Sequence, residues 1–326
     1  MRTSQPAAFK LSEHVGTAAS TRSGKTGLAR VGLMSLAILN DPAHLSMLIV
    51  DPGVMDMAAT DMRFLPHLAH PIVTDPDEAV AVVAGAVQLL EERRQQVAAA
   101  IGAQRRWSVP CTVVLYIDEI AGLMHRNPQV MKWLVYLAQE GIKYGVLLWW
   151  ATQRCTVDVI NGHLRGNTNV MWAGRVRDTG ESNIVAGRAG VFCHDQSPTC
   201  FKFLRDNRVE ECQSYWLTTD EVNELVPKIA EKWRGVAVGW RLPMDAPAPT
   251  ATVTVQPAPT GRPKADDAPI VEYLAQLVQA GEDLEGMGIN FISRKVGPQF
   301  NNGQELGKER AKRIKQAVQN TVEKPV

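Results

Sequence analysis

No run of eighteen apolar residues occurs in the chain, so no segment is expected to cross a bilayer as a helix. The opening stretch, MRTSQPAAFKLSEH, lacks the apolar core of a secretory leader. Cysteines are few: Cys111, Cys155, Cys193, Cys200 and Cys212, an odd number with no CxxC pair. That excludes a disulfide framework and leads us to expect reduced thiols in a cytoplasmic protein. Cys193, His194, Cys200 and Cys212 fit no common zinc spacing. A charge excess is lacking too, with net charge +1. A polyanionic partner must therefore be met by a local patch rather than by the whole molecule. The remainder, 45% hydrophobic and 21% charged over 326 residues, is ordinary for a globular protein with one large and one small domain.

One further absence is local. Residues 19–26 read ASTRSGKT. The tail is that of a phosphate-binding loop, but Ala19 stands where the pattern asks for glycine. The context is favourable: HVGTA reads as a short buried strand before the loop, and TGLARVGLMSLAIL after Lys25 has helical apolar spacing. In such a loop the backbone of Ala19, Ser20, Thr21, Arg22, Ser23 and Gly24 wraps phosphates. Lys25 reaches the terminal phosphates and Thr26 ligates Mg²⁺. Ala19 is harmless only if its φ is negative. Arg22, where many such loops have glycine, is either a solvated loop residue or an extra phosphate contact.

The apolar runs LSMLIVDP, CTVVLYIDEI, VLLWWATQR, NVMWAG and CFKFL read as strands. DEAVAVVAGAVQLLEERRQQVAAAI and VMKWLVYLAQEGIK read as helices. SYWLTTDEVNELVPKIAEKW ends a strand and starts a helix, with Thr218 or Thr219 as its N-cap. This alternation implies a mostly parallel α/β sheet. Asp118 and Glu119, directly after VVLYI, offer a carboxylate for Mg²⁺ and a base for an attacking water. Gln153, after VLLWWAT, is placed to sense a terminal phosphate between the two motifs. A solvated acid pair and a surface glutamine are the ordinary alternatives. From Leu242 the composition turns to Pro, Ala and Thr, which reads as an extended linker. Helical periodicity then resumes, so the expected division is 1–13 extension, 14–241 nucleotide-binding domain, 242–268 linker and 269–326 small domain.

The ordered set of segments resembles the FtsK/SpoIIIE family of double-stranded DNA translocases, within the wider group that includes HerA. The resemblance runs from about His14 to Trp233 and is carried by EHVGTAASTRSGKT, MLIVDPGVMDMA, FLPHLAHPIVTDPDEA, LLEERRQQ, YIDEIAGLM and, most specifically, LAQEGIKYGVLLWWATQRCTVDVINGHLR. It implies a RecA-like P-loop ATPase core, ATP and Mg²⁺ as cofactors, and a homo-hexameric ring that pumps duplex DNA. It puts pore DNA contacts on Arg154 and Arg165. The second pore loop's two basic positions fall on Thr179 and Asn183, with Arg175 and Arg177 displaced nearby. The family's trans-acting arginine falls on Ile142, beside Lys143. Lysine supplies charge without the bidentate fork, so Lys143, Arg175 and Arg177 are the trans-acting candidates.

The last domain resembles the family's winged-helix module through GKERAKRIKQAV. Lys308, Lys312 and Arg313 recur at helical spacing, as a recognition helix requires, and a solvated basic face is the ordinary alternative. Of the base-reading positions Arg313 is kept, while the others are Glu309 and Gln316. The family's membrane-spanning region is not in this chain. We therefore expect a plasmid, phage or integrative-element translocase with a membrane-tethering partner protein.

Overall fold

The structure is a computed structural model. It describes residues 11–53, 56–194, 196–206 and 208–243, and the single positions 270, 274, 311, 314, 315 and 318. The chain divides into two compact units, Met1–Gln256 and Pro257–Val326. In the second unit the described Ile270, Leu274, Ala311, Ile314 and Val318 are helical and buried. The spacing of the last three is that of one helix face. Lys308, Lys312, Arg313 and Gln316 lie outside the described residues, as does any test of the winged-helix expectation.

The first unit is built on a seven-stranded sheet in the order β2-β3-β4-β1-β5-β6-β7. Its strands are β1 (Val15–Ala18), β2 (Leu45–Val50), β3 (Thr112–Ile117), β4 (Val146–Thr152), β5 (Val170–Ala173), β6 (Cys200–Arg205) and β7 (Arg208–Gln213). The first five pair in parallel, while β6 and β7 are antiparallel additions at one edge. Parallel strands are covered on both faces, so their sequences read as unbroken apolar runs. Neighbouring residues accordingly enter opposite layers. Trp150 packs with α2 (Pro76–Gly102) and α4 (Gln129–Glu140), and Trp149 packs with α1 (Lys25–Leu39) and α7 (Thr219–Lys232). Both indoles are buried and their N–H groups are satisfied, Trp149 donating to the Thr17 hydroxyl at 3.1 Å and Trp150 to the Thr168 hydroxyl at 3.0 Å. Truncating either to alanine costs about 3–5 kcal/mol.

Several boundaries follow local chemistry. The α2 helix begins at Pro76, and Asp75 accepts from the Asp77 and Glu78 N–H groups at 2.9 Å. Thr218, not Thr219, caps α7 in a reciprocal box with Glu221. The helix expected to reach Lys143 stops at Glu140, and Gly141–Tyr144 tighten into a 3₁₀ turn ended by Gly145 at φ 68°. The strand expected to run through SYW ends at Gln213, which leaves Tyr215 and Trp216 in a loop. Three short helices, α3 (Ile120–Arg126), α5 (Gly162–Gly166) and α6 (Thr179–Ala186), were not expected. They are capped by Glu119, Asn161 and Asp178. No helix among the described residues is long and apolar enough to cross a membrane.

Candidate functional site

Parallel register brings the C-terminal ends of β1, β3 and β4 to one edge, where Ala18 lies opposite Thr152 and Ile117 opposite Trp150. The loop between β1 and α1 leaves from that edge. Ala19 is fully buried, donates its N–H to the Thr152 carbonyl at 3.2 Å, and is not among the residues with positive φ. Its methyl fits because Gly174 faces it: a Cβ there would lie 2.6 Å from that of Ala19. The left-handed position is instead Arg22, at φ 63°, a conformation costing a non-glycine residue about 1–2 kcal/mol. Gly24 precedes the helix at φ 90°. Leu28 is the first residue to bond back along α1, donating to the Gly24 carbonyl at 3.0 Å. The N–H groups of Lys25, Thr26 and Gly27 thus have no intrahelical acceptor and, with the helix dipole, form an anion-binding end.

Lys25 is buried, its Nζ 2.9 Å from a carboxylate oxygen of Asp118 and 2.6 Å from the Asp118 carbonyl oxygen. The other Asp118 oxygen accepts from the Tyr116 hydroxyl at 2.5 Å. Burial, with the Asp118 charge beside it, pushes that hydroxyl well above its ordinary pKa, so it stays a donor. Two further acids join them. Asp51, Asp56 and Asp118 each offer an oxygen within 4.8 Å of the others. Thr26 donates its hydroxyl to Asp56 at 3.2 Å. Burial, and then the neighbouring Asp118 and Asp51 charges, raise the Asp56 pKa. One oxygen of Asp51 accepts from the Met57 and Ala58 N–H groups, and the other is buried with no protein partner among the described residues. Hard oxygen donors in negative excess beside the Thr26 hydroxyl fit a divalent cation such as Mg²⁺. Asp51 and Asp56 went unnoticed in the sequence, where Asp51-Pro52 read only as a turn. The available signal was that β2 also ends at this edge.

Glu119 caps α3 and is held from three sides. Its oxygens accept from the Ala121 N–H at 3.1 Å, the Thr152 hydroxyl at 2.6 Å and the Gln153 N–H at 2.7 Å. The Gln153 side-chain oxygen accepts from the Thr21 hydroxyl at 2.7 Å. The strand-end acids, the glutamine and the loop are therefore brought together.

The remaining basic candidates differ in their surroundings. Arg154 is exposed, with Nη1 2.5 Å from His125 Nε2. Arg165 is half-buried and donates to the Ile184 carbonyl at 2.7 Å, and burial lowers its pKa. Arg175 meets the phosphate loop through its backbone, its carbonyl accepting from the Ser20 N–H at 2.7 Å and the Ser20 hydroxyl at 2.9 Å. Arg177 pairs with Glu181. Lys143 pairs with Glu140 at 2.9 Å. Thr179 and Asn183 lie on α6 rather than in a loop.

A phosphate loop followed by a mostly parallel sheet with acids at the end of β3 defines a RecA-like P-loop fold. Solved structures agree on that fold. EssC (ATPases 2 and 3) from Geobacillus thermodenitrificans superposes with a TM-score of 0.60 at 19% identity, over 72% of this chain and 47% of that one. The pCW3 conjugation coupling protein TcpA superposes with a TM-score of 0.54 at 21% identity, over 68% and 65%. The resemblance to the FtsK/SpoIIIE family is borne out, since that family matches residues 5–108. DNA translocase FtsK of Mycobacterium tuberculosis (strain ATCC 25618 / H37Rv) is 30% identical over 199 residues, 55% of this chain. DNA translocase SftA of Bacillus subtilis (strain 168) is 31% identical over 197 residues, 56% of this chain. The matches span only 24% and 20% of those relatives' own lengths.

Proposed function

We propose that this protein is an ATPase that couples ATP hydrolysis to movement of double-stranded DNA, working in the cytoplasm as a homo-hexameric ring on plasmid, phage or integrative-element DNA. The observation that carries the reading is the contact of Gln153 with Thr21, which joins the phosphate loop to the strand-end pair Asp118–Glu119. Similarity to the two DNA translocases supports DNA as the substrate.

ATP with Mg²⁺ supplies the reacting phosphate bond and the charge that screens it. Lys25 exchanges Asp118 for phosphate oxygens, and Thr26 and Asp118 hold the cation. Glu119, already oriented by three donors, takes the proton of the attacking water. Gln153 reports the terminal phosphate to Arg154, the next residue, which contacts the DNA backbone with Arg165. Lys143, Arg175 or Arg177 acts on the nucleotide of an adjacent subunit. Lys308, Lys312, Arg313 and Gln316 contact DNA from a winged-helix-like domain beyond the 242–268 linker, and a tethering protein links the ring to a membrane.

ATP turnover with and without linear duplex DNA tests this. DNA should stimulate turnover, and Lys25→Ala or Glu119→Gln should reduce it by about 10²–10⁴. Robust turnover surviving both changes refutes the site. The intrachain pairing of Lys143 with Glu140 favours a second reading: a nucleotide- and DNA-binding protein of partition or replication with little hydrolysis. Tight binding of both ligands without turnover would select it.

A further inference from the structure

The loop after β7 carries Tyr215 and Trp216, 77% and 57% exposed. Trp216 is not adrift. Its ring carbons lie 2.8 Å from the point a Cβ on Gly27 would occupy, so the indole covers the first turn of α1 at a place only glycine allows. Strand direction explains how it gets there. Because β5 runs with β1 and both β6 and β7 reverse direction, β7 again runs with β1. The residues after β7 therefore emerge at the sheet edge that carries the phosphate loop. A chain of hydrogen bonds ties the two together: Thr199 N–H donates to the Ser23 carbonyl at 2.9 Å, and Ser214 N–H donates to the Thr199 carbonyl at 2.8 Å.

The hydrolytic groups Asp118, Glu119 and Gln153 all follow β3 and β4, on one side of β1. A nucleotide whose terminal phosphate faces them extends its sugar and base to the other side, over β5 to β7. Exposed aromatic rings there offer a flat apolar face, and every base has a π-face to stack on it. We infer that Trp216, with Tyr215 beside it, is the stacking platform for the purine base of the nucleotide held at Lys25. This rests on the phosphate-loop reading above and adds to it the group that recognises the base.

The test is calorimetric titration of the full chain with ATP and with inorganic tripolyphosphate, which has the phosphates and no base. Trp216→Ala should weaken ATP about tenfold or more, the scale of a lost base–aromatic stack, and leave tripolyphosphate unchanged. Trp216→Phe should keep ATP affinity, while Trp216→Leu, which keeps apolar bulk without the ring, should lose it. The Phe and Leu pair decides the matter even if the alanine variant folds poorly. Unchanged ATP affinity in Trp216→Leu overturns the inference. So does equal weakening of both ligands, or a change in oligomeric state alone. If Lys25→Ala binds ATP as the wild type does, the phosphate-loop reading fails instead, whatever Trp216 does.

Discussion

Lys25 and Asp118 form a buried ion pair, Nζ to carboxylate at 2.9 Å, with side chains only 5% and 6% exposed. On the proposed function, the lysine assigned to phosphate is thus already neutralised by the acid assigned to the cation. Under that proposal ATP with Mg²⁺ would satisfy both partners at once, whereas phosphate alone would strand Asp118 beside Asp51 and Asp56.

The pair predicts a stability effect separable from activity. Lys25→Met leaves three carboxylates together without their cation and should destabilise by about 3–5 kcal/mol, the cost of breaking a buried pair. Adding Asp118→Asn should recover part of that loss. Urea unfolding of the two variants checks it, and a double variant no more stable than Lys25→Met would show that the carboxylate was not the source.

The loop's glycine deficit lies at Arg22 rather than at Ala19. Arg22→Gly removes a left-handed non-glycine residue and should raise stability by up to about 1 kcal/mol, offset in part by the freer unfolded chain. Ala19→Gly relieves nothing, empties a methyl-sized space and should lower stability by about 1 kcal/mol. Thermal melts of the two variants should move in opposite directions.

The hydroxyl of Thr21 holds the Gln153 side chain over the loop. Thr21→Val, nearly isosteric, should leave ATP affinity within about tenfold, since one exposed hydrogen bond is worth about 0.5–1.5 kcal/mol. It should weaken the stimulation of turnover by DNA. Equal stimulation in Thr21→Val and wild type would remove Gln153 from the coupling route.

Acid should destabilise the fold through His14. Its ring is buried, Nδ1 accepts from the Leu148 N–H at 2.9 Å, and burial lowers its pKa from 6.5 to about 4. In the fold the ring is neutral, while in the unfolded chain it takes a proton below its ordinary pKa. The stability it contributes is therefore complete above about pH 6.5 and is lost as pH falls towards about 4, by about 3 kcal/mol in all. His14→Asn keeps an acceptor and cannot protonate, so its urea midpoint should fall less between about pH 7 and about pH 4.5.

Legibility followed the range of the interaction. The strands β1 to β4 were readable because burial on both faces makes each one apolar throughout. Lys25, Asp118, Glu119 and Gln153 were readable because Lys25 starts a plain helix and the other three directly follow plain strands. Thr152, and Asp51 just after β2, enter the site through sheet register, and Asp56 through the loop beyond it, and no local pattern carries either. The φ of Arg22 is set by the loop's closure on Arg175 and Thr199, more than 150 residues away. The end of α4 was misplaced because Ile142 and Lys143 continue its helical pattern. A Cβ on Gly141 would lie 2.2 Å from the Val146 carbonyl oxygen, and that packing was not visible in the sequence.

Ala19 and Gly174 share a single space, which makes the two positions mutually dependent across a gap of 155 residues. A side chain at 174 is barred while 19 keeps its methyl, and the Phe201 ring, 2.9 Å from the same point, forms the opposite wall. Substitution at 174 is therefore open only where 19 is glycine and Phe201 has shifted. Alanine at 19 thus ties the residue just after β5 to glycine, so the order in which the two positions can be enlarged runs one way.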